Sequence, residues 1–161
     1  MNGSIDRGEL AKQLFYEGYN CAQAVVCAFE DVTGLDRALS AKLASSFGGG
    51  MGRMREVCGS VSGALMVLGM VLGYDDPKDP EAKKQHYRLV QEFAARFKRV
   101  NSSIVCRELL AGVKVAPGSD PEERTAEYYK KRPCPELIKC AAQIAGQMLE
   151  EEMRLDTPQK G

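Results

Sequence analysis

"FGGGMGRMREVCGSVSGALMVLG", residues 47–69, sets five glycines, two arginines and a cysteine ahead of an apolar run that continues to Gly73. The run over 61–73 is about thirteen residues, too short for the ~20 apolar residues of a membrane-spanning helix. That length suits a helix buried in a core. The segments on either side then decide what surrounds it.

Their patterning is helical almost throughout. Leu10, Leu14, Phe15 and Tyr19 fall at helical spacing in a first segment that Gly18 and Asn20 interrupt. Asn20 predicts an N-cap for a helix over 21–32, closed by Gly34. Asp36 caps a third over 37–46, which stops at Gly48-Gly49-Gly50. The apolar helix is predicted over 58–73, ended by Asp75-Asp76-Pro77. A long amphipathic helix follows over 80–100, with Leu89, Phe93, Phe97 and Val100 on one stripe. Asn101-Ser102-Ser103 recaps a short helix over 104–110, and Pro117 and Gly118 make 112–120 a loop. Pro121-Glu122-Glu123 predicts a helix start that Pro133 ends. Cys134 begins the last helix, to about 154, with a frayed tail LDTPQKG. No strand, repeat or linker is evident. The expected fold is all-α, a single-domain bundle over 1–161 with about six to eight helices.

The 161 residues suffice for a core without disulfide staples. Lys plus Arg number 22, as do Asp plus Glu, so the net charge is zero. There is no electrostatic case for nucleic acid or an acidic membrane as partner. The opening MNGSIDRGELAKQ has no apolar signal core, which implies a cytoplasmic protein with no membrane span.

In such a setting six cysteines point to metal, redox chemistry or core packing rather than to a disulfide framework. Four of them share a location. Cys21 follows the cap Asn20, Cys58 opens the apolar helix, Cys106 sits in the first turn after Ser102-Ser103, and Cys134 follows Pro133. A helix start presents free N–H groups and the positive end of the dipole, and both favour a thiolate. Cys27 and Cys140 lie six residues into their helices among small and branched apolar residues, and are expected to be packing. The absence of C-x-x-C argues against a thioredoxin-type dithiol, and the absence of C-x-x-C-H excludes covalent haem. Structural zinc sites bring cysteines in close pairs, which are missing here. Four thiolates converging from separate helices suit an iron–sulfur cluster, and they suit two switchable disulfides equally.

His86, the one histidine, falls on the polar side of the long helix in KKQHYR and is expected to be solvated. GGGMGR before a helix could bind phosphate with Arg53 or Arg55, but it lacks the Walker lysine–serine pair and a preceding strand. The competing role for its glycines, and for Gly63, Gly69 and Gly73, is close backbone passage. For a buried cofactor, the glycine N–H groups at Gly49, Gly50, Gly52 and Gly59 are candidate donors.

The assembled segments resemble a known family. NCAQAV at 20–25, FGGGMGR at 47–53, CGSVSGALMVLG at 58–69, CREL at 106–109 and CPELIKCAAQI at 134–144 are similar to the redox-active C_GCAxxG_C_C proteins. The family's four marker cysteines match Cys21, Cys58, Cys106 and Cys134, and Ser60 stands where its CGAxxG motif has alanine. A related cysteine domain resembles the cluster-carrying part of split-Soret cytochromes, which implies iron–sulfur, while their haem part has no counterpart here. The leading expectation is a cysteine-based redox protein. Its four helix-start cysteines bind an iron–sulfur cluster or cycle between dithiol and disulfide, with a separate redox partner and a homodimer left open. The alternative is a helical binding module with structural cysteines that recognises a small anion at the glycine-rich loop.

Overall fold

The structure, a computed structural model, describes residues 5–156. Among the described residues the regular structure is helical, with no strand and one isolated antiparallel bridge between Val57 and Val105. The all-α expectation therefore holds.

Capping chemistry sets the early helices. In α1 (Arg7–Tyr16) the Asp6 carboxylate accepts from the Glu9 N–H. In α2 (Cys21–Cys27) the Asn20 side chain accepts from the Gln23 N–H, and Gln23 accepts in turn from the Asn20 N–H. This reciprocal pair fixes the position at which Cys21 enters the helix. The predicted 21–32 helix is broken, because α3 (Glu30–Thr33) starts anew after Ala28 and Phe29. Arg7 supplies the reason: its guanidinium captures the Ala28 carbonyl at 2.9 Å and rests over the Phe29 ring at 4.8 Å. Next come α4 (Arg37–Ala44), the 3₁₀ turn Ser45–Phe47 and the four-residue turn α5 (Gly48–Met51). The long elements are α6 (Gly59–Leu72), α7 (Pro80–Asn101) and α10 (Cys134–Asp156), with the short α8 (Cys106–Leu109) and α9 (Ala126–Lys131) between the last two.

The apolar helix α6 is wrapped by α2, α10 and α7. Val25, Val26, Phe29, Val61, Leu68, Phe93, Phe97, Ile138 and Met148 form one continuous buried cluster across these elements. Gly63 is where two backbones touch, since a Cβ there would lie 2.7 Å from the Ala22 carbonyl oxygen. Gly69 and Gly73 play no such part, contrary to expectation. A Cβ on Gly69 has only the His86 ring near it, at 3.9 Å, and Gly73 is crowded by its own helix.

Three further expectations need correction. Val100 is 70% exposed, off the Phe93–Phe97 stripe that faces the core. No helix starts at Pro121. Thr125 caps α9 instead, because the intervening side chains serve long-range contacts: Glu122 takes the Ala116 N–H and Arg132, and Arg124 reaches back to α1. His86 is half-buried against the Tyr74 ring, with a buried Nδ1 that lacks a hydrogen-bond partner. In the tail, α10 runs to Asp156, and the remainder of LDTPQKG lies outside the described residues. No helix among the described residues is long and apolar enough to cross a membrane.

Candidate functional site

Cys21, Cys106 and Cys134 are the first residues of α2, α8 and α10, and Cys58 is the cap residue of α6. A short pairing brings two of them together across 48 residues of sequence (106 − 58). The Cys58 N–H donates to the Ile104 carbonyl at 2.8 Å, the Cys106 N–H to Glu56 at 2.6 Å, and the Arg107 N–H to Arg55 at 3.2 Å. Glycines let the others approach. A Cβ on Gly59 would sit 2.3 Å from the Cys21 sulfur and 2.7 Å from the Phe47 carbonyl, so any other residue would push α2 and α6 apart. Gly50 has φ +69°, and a Cβ there would lie 2.7 Å from the Cys106 Cβ.

The result is one small cavity of about 70 Å³, lined by all four cysteines. Its wall includes Gly49, Gly59, Ser60, Phe15 and Tyr128, and its charged lining consists of Arg55, Arg124 and Arg132 with no carboxylate. Cys58 and Cys106 are buried, and Cys21 and Cys134 half-buried. Cys27, 2% exposed, belongs to the core, and half-buried Cys140 takes a 3.5 Å contact from the Asn101 amide. Neither lines the cavity.

The electrostatics run against a simple helix-start argument. Burial pushes the Cys21 thiol up, and a hydrogen bond from the Gly49 N–H opposes it. Cys58 is pushed up to about 12, first by burial and then by Cys21, with the Ser60 hydroxyl at 2.9 Å pulling the other way. Cys134 is likewise pushed up to about 12 by burial and by Cys21, against the pull of Arg132. The expected lowering at helix starts is thus overturned at these three positions. A dipole end stabilises a thiolate only modestly, whereas removing the sulfur from water penalises its charge by more. With nothing bound, these thiols hold their protons at neutral pH. All six cysteines are free thiols, and among the described residues no group of three or more His, Cys, Asp or Glu is gathered as a metal site.

The arginines are fixed by neutral groups and one acid. Arg124 donates to the carbonyls of Phe15 (2.7 Å) and Tyr19 (3.0 Å) and lies over the Phe15 ring. Buried Arg132 pairs with Glu122 at 2.6 Å and stacks on Tyr128 at 4.4 Å. Arg55 approaches the Cys106 sulfur at 3.9 Å. Arg53 points elsewhere: the Ala116, Gly118 and Asp120 carbonyls and Glu122 hold its guanidinium.

The backbone that presents these groups is left-handed. Gly49, Gly50, Met51, Gly52 and Arg53 all have φ between +60° and +69°. Such a turn costs roughly 1–2 kcal/mol at each non-glycine residue. The Arg53 latch to the 116–122 segment is the compensation visible for it. Of the four candidate glycine donors, Gly49 and Gly59 line the cavity and Gly50 abuts Cys106, while Gly52 lies in an outer pocket. Sequence reasoning missed Ser60, Arg124, Arg132 and Tyr128. The adjacency Arg132-Pro133-Cys134 was a usable hint for Arg132, whereas nothing local marks Arg124.

One family model, described as "Putative redox-active protein (C_GCAxxG_C_C)", matches residues 19–148. No curated protein and no solved structure matches the chain.

Proposed function

The chain belongs to the redox-active C_GCAxxG_C_C family, and from that premise we propose that Cys21, Cys58, Cys106 and Cys134 together hold an iron–sulfur cluster. The observation that carries this reading is the lining of the cavity: four thiols, three arginines and no carboxylate. Four cysteine thiolates are the usual ligand set of such clusters, and when bound the cluster supplies one-electron transfer. Four thiolates in a low-dielectric space need cations nearby, and Arg55, Arg124 and Arg132 meet that need. The Gly49 N–H donates to the Cys21 sulfur, Phe15 and Tyr128 exclude water, and the thiols release their protons as they become ligands. In this reading the protein works in the cytoplasm with a separate redox partner, alone or as a homodimer.

A second reading, dithiol–disulfide cycling, draws on the same four thiols lining one cavity, with Cys58 and Cys106 at diagonal positions of the short backbone pairing. There two thiols lose two protons and two electrons to an oxidising partner and form one S–S bond. Arg53 alone does not carry the small-anion alternative at the loop, because its guanidinium is held by the 116–122 segment.

Anaerobic purification with iron, sulfide and visible-absorption assays tests the first reading. Iron and sulfide in near-equal amounts, lost on Cys58→Ala, are expected. No iron after anaerobic reconstitution overturns the cluster. A thiol count unchanged by mild oxidation overturns the disulfide cycle.

A further inference from the structure

Outside the cysteine cavity, and sharing Gly49, Arg55, Arg124, Tyr128 and Arg132 with it as a common wall, lies a second pocket of about 380 Å³. That size falls at the low end of small-molecule sites, roughly 300–1,000 Å³. Its charged lining is Arg53, Arg55, Arg124 and Arg132 against the single carboxylate of Glu122. Arg53 and Arg124 are held mainly by backbone carbonyls, which fix their direction and leave their charge in place. Four cations less one anion leave about three uncompensated positive charges, in a chain whose net charge is zero.

Exposure makes the imbalance more telling. The Arg132 and Arg53 side chains are only 5% and 13% exposed and share the one Glu122 carboxylate, so that acid is taken up by these two withdrawn cations. The cations come from two separate segments: Arg53 and Arg55 from the left-handed loop, Arg124 and Arg132 from the residues flanking α9. One phosphate would satisfy two neighbouring arginines. A molecule with separated anionic groups can meet cations of both segments, and planar guanidinium forks match carboxylates.

We propose that this outer pocket binds a small organic molecule bearing two or more carboxylates. The site requires neither cluster nor disulfide, and Arg55, Arg124 and Arg132 are common to it and to the redox reading.

Isothermal titration of the reduced, metal-free chain with citrate tests it, with inorganic phosphate as the comparison probe. Citrate is expected to bind one per chain and more weakly as salt rises, with phosphate about tenfold weaker. Arg55→Gln, which gives up one long contact to Cys106, is expected to weaken citrate about tenfold. Ser119→Asp, on the exposed rim, adds a carboxylate and is expected to weaken it also, and serves if Arg55→Gln fails to fold. Arg88→Gln on α7 should leave it unchanged. No heat with citrate, phosphate binding as tight as citrate, or affinity indifferent to both pocket variants overturns the proposal. Iron uptake measured on the same preparation keeps the two readings distinct: no citrate binding by the unaltered chain, with iron uptake intact, sinks this one alone.

Discussion

Two helices carry two cysteines each, six residues apart: Cys21 and Cys27 in α2, Cys134 and Cys140 in α10. In each helix the cysteine at the start lines the cavity, and the one further along does not. Six residues advance a helix by about 9 Å and turn it well away from its starting face. At the starts, glycines and a left-handed turn let the surrounding backbone close in around a small space. Six residues on, Val25, Val26, Phe29 and Ile138 fill every gap. The same side chain is thus a ligand candidate at one end and a core filler at the other, and the difference lies in the neighbours.

Two glycines of α6 offer the sharpest way to break that contrast. Gly59→Ala should destabilise the protein by about 2–3 kcal/mol and abolish iron uptake, because the new Cβ meets the Cys21 sulfur and the Phe47 carbonyl. Gly69→Ala in the same helix has open space and should stabilise by up to about 1 kcal/mol through helix propensity. Urea denaturation and iron content of the two variants check both. Equal effects would mean that α2 and α6 do not meet as closely at their starts.

A paired substitution carries the contrast to the cysteines. Cys58→Ala should lose the iron and change stability little, while Cys27→Ala keeps the iron and costs about 1 kcal/mol of packing. Iron loss from Cys27→Ala would erase the distinction between helix start and helix body.

The pH dependence is a gentler probe. Cys58 and Cys134 titrate near 12 when folded, against an ordinary thiol value of 9.0. Below pH 9 the thiols are protonated in both folded and unfolded chains and contribute no slope. Between 9 and 12 the unfolded chain ionises while the folded chain holds its protons, so stability falls as pH rises. Thermal melts of the metal-free protein should show Tm dropping above pH 9, less steeply in Cys58→Ala. A flat profile would mean that water reaches these sulfurs.

The smallest expected effect belongs to Ser60→Ala. It removes a 2.9 Å contact to the Cys58 sulfur and should change stability by less than about 1 kcal/mol. The Cys58 thiol should move further up, read as slower alkylation by iodoacetamide at pH 9. Faster alkylation would show that the hydroxyl shields the sulfur rather than supporting its thiolate.

Much of this was legible in the sequence, and the failures are instructive. Asn20 and Asp36 marked helix starts because capping is local chemistry, whereas the helix expected to stop at Gly48-Gly49-Gly50 ends at Ala44 and those glycines form a turn of their own. The break after Cys27 was not legible, because Arg7, twenty-one positions upstream of Ala28, causes it. Pro121 offered a sound helix start that long-range bonds from Glu122 and Arg124 overrode. The dipole argument at Cys58 and Cys134 failed for a similar reason: it described an isolated helix end, and these ends are buried.

The sequence by itself determined the helical class, the apolar identity of α6 and the four cysteines at helix starts, since each depends on residues within a few positions of one another. Only the tertiary structure decided that those starts share one cavity and that Arg55, Arg124 and Arg132 line it without a carboxylate. It also decided that the thiols keep their protons there. Those properties depend on which surfaces meet and how much water remains between them, and a local stretch of sequence carries neither.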